Sequence, residues 1–207
     1  MIRFESEHTP VPHLVPACSG VVLELGPGAG NQLFRFDKAK VTRIVGVESN
    51  PLFAPDLQRQ IRANGLEGVY DVIVPARFGE DDAAADEELA RQGIVPGSVD
   101  TVLSVQVLCS VSDPQRAMRE VYRLLKPGGR FIFWEHTRSE DLVTRVVQYL
   151  WNPLWTRVIG GCRLTRDTRS VIESAGEWKN IESIESDELP WSMVPRMWGV
   201  LVKPEPS

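Results

Sequence analysis

The chain has 207 residues, of which 43% are hydrophobic and 25% charged. That suits one ordinary domain with a packed core and excludes a disordered or collagen-like chain. Its 23 basic residues against 28 acidic ones give a formal charge of −5 with no basic run, so a nucleic-acid partner, which needs clustered cations for its phosphates, is not expected.

Residues 1–20, with Pro10, Pro12 and Pro16, read as an irregular lead-in. Val21 to Leu25 is apolar and stops at glycines, as a buried strand does. Asn31 to Phe36 predicts a short helix and Ile44 to Val47 a second strand. Pro51 to Asn64 predicts a helix closed by Gly65, and Val69 to Val74 a third strand. The acidic, alanine-rich run Asp81 to Ala90 predicts an exposed helix. Val99 to Val105 is a fourth strand, entered through Pro96-Gly97. Asp113 caps a helix with Pro114 at its first position, running to about Leu125. Beyond the turn Lys126-Pro127-Gly128-Gly129, Arg130 to Glu135 is a fifth strand. Glu140 to Ile159 is helical in pattern and broken at Pro153. Thr168 to Ala175 is a helix stopped by Gly176, and Lys179 to Asp187 and Arg196 to Val202 are two closing strands. Strands alternating with helices predict an α/β fold with a parallel sheet covered on both faces. The last two strands have no helix between them and are expected to pair antiparallel. One domain is expected over 1–207, with 137–178 as a helical segment on the substrate side.

The strongest local signal is Glu24-Leu25-Gly26-Pro27-Gly28-Ala29-Gly30, directly after the first strand. Glycines there let the chain turn sharply and approach a ligand closely. Glu24 stands where a carboxylate could bond the loop or meet a cationic amino acid group. Glu48, followed by Ser49, ends the second strand 20 residues beyond Gly28, where an acidic side chain can hold a ribose diol. Gly79-Glu80-Asp81 follows the third strand, where an adenine amino group could be read. A nicotinamide dinucleotide is the competing ligand. Its fingerprint is G-x-G-x-x-G, and Asn31 occupies the place of its third glycine.

The glycine run resembles motif I of class I S-adenosylmethionine-dependent methyltransferases, and Leu125-Lys126-Pro127-Gly128-Gly129 resembles the turn before their fifth strand. Val107-Leu108-Cys109-Ser110-Val111, Phe133-Trp134-Glu135-His136 and Gly161-Cys162-Arg163-Leu164-Thr165-Arg166 are similar to the methyltransferase-like 7 branch, which contains membrane-associated alkyl-thiol S-methyltransferases. The likeness runs from about Val21 to Val202. It implies a Rossmann-like class I methyltransferase fold, with a mostly parallel seven-stranded sheet and an antiparallel last strand. It implies S-adenosylmethionine as cofactor and S-adenosylhomocysteine as product. By it, Glu24, Gly26, Gly28 and Gly30 line the amino acid and ribose side, Glu48 binds the ribose, Glu80 and Asp81 flank the adenine, and Val105 and Gln106 lie near the methionine portion. The implied reaction is methyl transfer to a small apolar acceptor, a thiol first and a phenol or carboxylate oxygen next. Pro27 departs from the small residue usual at its position. Members of that branch also carry an apolar segment and further helices before motif I, where this chain has about 20 polar, proline-rich residues. By the resemblance, either a homodimer or partner subunit covers the pocket, or the pocket is unusually open, or the activity has changed. The alternative function is a cyclase or isomerase acting on a reactive metabolite, or a binding subunit of another enzyme.

His136, at the end of the fifth strand, is the candidate base for an acceptor that arrives protonated. Glu135 beside it is expected to point into a helix layer. The cysteines are Cys18, Cys109 and Cys162, an odd number with no close metal-ligand spacing, so reduced cytoplasmic thiols are expected, with no metal. No run is apolar enough for a membrane span and no signal-peptide order is present. Trp151, Trp155, Trp191 and Trp198 could wall an acceptor pocket, and Tyr149 to Ile159 is the candidate lid or subunit contact.

Overall fold

The computed structural model describes residues 7–79, 83–187 and 191–205. Seven strands form one sheet: β1 (Gly20–Leu25), β2 (Val41–Val47), β3 (Tyr70–Ile73), β4 (Val99–Val105), β5 (Leu125–His136), β6 (Glu185–Ser186) and β7 (Arg196–Val202). Their order is β3-β2-β1-β4-β5-β7-β6. The first five run parallel, and β7 is antiparallel to both β5 and β6. The chain winds one way from β1 to β3 and the other way from β4, so a crevice opens at the carboxyl ends of β1 and β4.

The helices are α1 (Val11–Leu14), α2 (Ala54–Ala63), α3 (Ala83–Arg91), α4 (Pro114–Leu124), α5 (Leu142–Val158) and α6 (Thr168–Glu173). Strands buried on both faces read as continuous apolar runs, and two cores explain why these do. Leu23, Val45, Val102 and Phe131 pack with residues of α3, α4 and α6. Val22, Ile44, Leu103 and Ile132 pack on the opposite face with residues of α1 and α2.

α4 follows the predicted chemistry closely. Asp113 accepts a hydrogen bond from the Arg116 amide at 2.9 Å, Pro114 stands in the first turn, and Ala117, Met118, Val121 and Leu124 make the buried stripe. Asp113→Ala is expected to lower the unfolding free energy by about 1 kcal/mol. This is read as a lower urea midpoint at unchanged slope, and an unmoved midpoint would refute the cap.

Several elements differ from the sequence expectation. The lead-in carries α1 and a 3-10 turn over Val15–Ala17, with prolines in their first turns, where no amide partner is needed. The helix expected over Asn31 to Phe36 is only a 3-10 turn, Leu33–Arg35. β5 begins at Leu125 and absorbs the Pro-Gly-Gly turn as an irregularity opposite Val99 and Thr101. α5 continues through Pro153; most of it faces solvent, where water can replace the lost backbone bond. Only Thr144 and Gln148 of α5 are buried, whereas Leu142, Val146, Tyr149, Leu150, Trp151, Leu154 and Val158 are exposed. The strand expected over Lys179 to Asp187 is a 3-10 turn, Ile181–Ser183, followed by the short β6. Among the described residues, no helix is long and apolar enough to cross a membrane.

Candidate cofactor and acceptor site

The turn after β1 is made by Gly26, Gly28 and Gly30, all at positive φ (+55°, +57° and +80°). At Gly26 space matters as well as conformation, since a Cβ would stand 2.8 Å from Val107 Cγ2. At Gly28 a Cβ would meet nothing within 4 Å, so conformation alone calls for glycine there. The loop's amides are largely committed. Gly26 donates to the Val47 carbonyl at 2.9 Å, Gly28 to Glu48 Oε2 at 2.8 Å and Gly30 to the Pro27 carbonyl at 3.0 Å. Pro27 has no amide to offer, and only a 3-10 turn follows. A pyrophosphate needs free amides at a helix N-terminus. The loop therefore suits a ligand without phosphate and disfavours the dinucleotide.

Glu48 lies just past β2 and is 5% exposed. Its second oxygen, Oε1, accepts from the Asn50 amide at 2.7 Å. Each carboxylate oxygen can accept more than one bond, so Glu48 can brace the loop and still meet hydroxyls. Glu24 does a different job. It is buried beneath the turn and accepts from the Tyr70 hydroxyl. Gly46 lets that hydroxyl pass, since a Cβ at Gly46 would stand 2.5 Å from Tyr70 Oη. Burial pushes the Glu24 carboxyl up to about 7; the Tyr70 hydrogen bond opposes this and the nearby Glu48 charge adds to it.

A cavity of about 310 Å³ opens over these ends, lined among others by Gly26, Ser49, Phe78, Val107, Ser110 and Gly160. Such a volume lies at the lower end for small-molecule sites. Of the residues expected to bind the cofactor, Gly26 and Ser49 are on its wall. Gly28 and Glu48 are bonded to each other, while Gly30 approaches Gln60 and Leu57 of α2. Val105 packs against the second core. Gln106 adopts φ +59° and donates its amide to the Trp134 carbonyl at 2.9 Å. A non-glycine residue at positive φ is a strained position typical of functional turns. Glu80 and Asp81 lie outside the described residues. Sequence reasoning missed Arg77 and Phe78 and gave Ser110 no place in the site. The exit of the third strand, already marked by Gly79, would have pointed to the first two. The four tryptophans do not converge: Trp151 and Trp191 are exposed, Trp198 packs against the second core, Trp155 bonds Cys162, and none lines this cavity.

On the β4–β5 side the loop after β4 is clamped twice. Buried Glu135 accepts from Ser104 Oγ at 2.7 Å and from the Val107 amide at 2.9 Å, and burial raises its carboxyl above the usual range. Arg166 donates to the carbonyls of Leu108 and Val111, each at 2.5 Å. Beside this loop stand Cys109, His136 and Cys162, all buried, with their ligand atoms within 4.8 Å of one another. His136 Nε2 is 2.8 Å from Cys162 Sγ, and the Trp155 indole donates to the same sulfur at 3.2 Å. The proximity of the two thiols lowers Cys162 and raises Cys109, with burial adding to the rise of Cys109 and His136 to the fall of Cys162. His136, the expected base, thus faces Cys162 and is not on the cavity wall. The cluster escaped a search for ligand spacing because its members are separated by 27 and 26 positions; the pairing of β5 beside β4 and the return of the loop after α5 unite them.

Sheet order, reversed last strand and glycine turn are those of a class I methyltransferase domain. The family profile described as a methyltransferase domain matches residues 23–133. Thiol S-methyltransferase TMT1A of Homo sapiens is 33% identical over 188 residues, 88% of this chain and 70% of that protein. Thiol S-methyltransferase TMT1B of Rattus norvegicus is 34% identical over 182 residues, 86% of this chain and 65% of that protein. The crystal structure of the [4+2]-cyclase SpnF superposes with a TM-score of 0.69 at 17% identity, covering 99% of this chain and 81% of that one; at that identity the likeness concerns the fold. The chain belongs to the S-adenosylmethionine-dependent methyltransferases, in the family of the thiol S-methyltransferases TMT1A and TMT1B. It spans about two thirds of the length of these relatives.

Proposed function

We propose that this chain binds S-adenosylmethionine in the cavity over β1, β2 and β4 and methylates a small apolar thiol. The carrying observation is the glycine turn whose amides are already bonded, braced by the Glu48 carboxylate at the end of β2. That arrangement fits a nucleoside bearing positive charge and no phosphate. S-adenosylmethionine supplies a methyl group already activated on a sulfonium, so the protein's part is alignment and exclusion of water. Glu48 would hold the ribose and Ser49 and Phe78 the base side. Val107 and Val111 present apolar surface on the β4 side of the cavity, which suits an alkyl acceptor. Relatives named thiol S-methyltransferases at about one-third identity support the acceptor class. For His136 to take the acceptor's proton, its contact with Cys162 would have to open.

The test is incubation of the purified chain with methyl-labelled S-adenosylmethionine and a panel of alkyl thiols, phenols and carboxylates. Labelled thioether is expected, with thiols turning over fastest. Cofactor binding without methyl transfer to any acceptor would favour the cyclase, isomerase or binding-subunit alternative. Absence of cofactor binding would overturn the reading altogether.

A further inference from the structure

We propose that Cys109, His136 and Cys162 are three ligands of a zinc-type divalent cation whose fourth position takes the acceptor as a thiolate. The second half of this rests on the thiol reading above; the first half does not.

Two thiolates and an imidazole are a donor set that zinc takes, and three protein ligands with one open position mark reactive rather than structural zinc sites. Bond lengths of about 2.3 Å to sulfur and 2.0–2.1 Å to nitrogen place tetrahedral ligand atoms roughly 3.3–3.8 Å apart. The three ligand atoms here fall within 4.8 Å of one another, so small side-chain adjustments suffice.

The backbone carrying each ligand is fixed independently of the ligands themselves. The Cys109 carbonyl accepts from the Arg163 amide at 3.1 Å. The His136 carbonyl accepts from Thr168 Oγ1 at 2.8 Å, and the Cys162 carbonyl from Thr156 Oγ1 at 3.1 Å. Two buried atoms at the cluster have no partner among the described residues, His136 Nδ1 and Glu135 Oε2. A ligating histidine commonly makes a further hydrogen bond from its second nitrogen, and at His136 that nitrogen, Nδ1, is buried and has no partner among the described residues. Access is short, because Ser110 follows Cys109 and Gly160 stands two positions before Cys162, and both line the cavity.

The chemistry closes without a separate base. The thiol binds the cation and releases its proton to solvent. Its sulfur pair then forms the new S–C bond to the methyl carbon, while the old C–S bond breaks and its pair stays on the former sulfonium sulfur. The product thioether carries no charge and is a weaker ligand than the thiolate it replaced, so it leaves. Cation coordination replaces the base role assigned to His136.

The experiment uses the whole chain, stripped by chelator and titrated with Co²⁺ as a spectroscopic substitute for zinc. One equivalent should bind, with a tetrahedral ligand-field spectrum and a thiolate charge-transfer band. Cys109→Ser, Cys162→Ser and His136→Gln should each weaken zinc binding by more than about 100-fold, beyond the range seen for outer-shell changes. Far-ultraviolet circular dichroism and cofactor affinity report that each variant is folded, and the wild-type stoichiometry needs no variant at all. Added alkyl thiol should shift the cobalt bands and the S-methyl product should not. Failure of the wild-type chain to take up one equivalent overturns the site, and full methyl transfer by metal-free protein overturns the cation's part in the reaction. Cobalt bands unmoved by thiol overturn the open-position half. A thiol-induced shift with no methyl transferred supports the metal site while rejecting the function proposed above.

Discussion

Glu48→Ala is expected to weaken S-adenosylmethionine binding by about 1–3 kcal/mol, roughly 5- to 150-fold in Kd. Two losses combine. The Gly28 and Asn50 amides, now bonded to the carboxylate at 2.8 and 2.7 Å, lose their acceptor, and the glycine turn loses its brace. The ribose hydroxyls lose theirs as well. Glu48→Gln keeps one carbonyl oxygen but turns an amino group toward a backbone amide, so an intermediate loss is expected. Titration calorimetry reads both variants. Adenosine, which carries the ribose without the sulfonium, should weaken by the same factor as the full cofactor. Undiminished affinity in Glu48→Ala would remove this residue from the site. A loss confined to the charged cofactor would show that Glu48 acts through its charge and not through the ribose.

The second large effect concerns Glu24 and pH. In the folded chain its carboxyl holds a proton up to about pH 7, against an ordinary value of 4.5. Between those values the folded state binds more protons than the unfolded one, so stability from this group falls as pH rises. The contribution is complete below pH 4.5, is lost through pH 7, and amounts to about 3 kcal/mol at most. Glu24→Gln keeps an oxygen for the Tyr70 hydroxyl and removes the titration. The stability of wild type relative to Glu24→Gln should therefore decline from pH 4.5 to pH 8, measured by urea unfolding at each pH. Parallel stability curves for the two proteins would show that Glu24 does not titrate in this window.

Features set by neighbours in the chain were legible in the sequence. Asp113 and Pro114 announced α4 because capping is a property of one turn. Gly26, Gly28 and Glu48 announced the braced turn after β1 because a strand end and a glycine turn are short-range signals. The seven-stranded sheet with its reversed last strand follows the expectation, and the family follows from the motifs that carried it. What could not be read depends on distant partners. The sequence sets Glu24 beside the loop or a ligand but gives no sign of its bond to Tyr70, 46 positions away. The metal-type cluster joins the loop after β4, the end of β5 and the loop after α5, which no spacing rule connects. The sequence reads Pro153 as a break, because propensity treats helix interiors as uniform, whereas an exposed helix lets water satisfy the carbonyl a proline leaves behind.

The gap at Gly46 constrains the order in which this sheet can change over descent. Any larger residue at 46 collides with the Tyr70 hydroxyl, so that position is closed until Tyr70 shortens. Shortening Tyr70 first strands a buried acid without its donor, an unfavourable opening step. The passable route neutralises Glu24, then trims Tyr70, and only then enlarges Gly46. A descendant of this chain bearing a bulky residue at 46 should therefore already carry replacements at 24 and 70, three distant letters that drift as one.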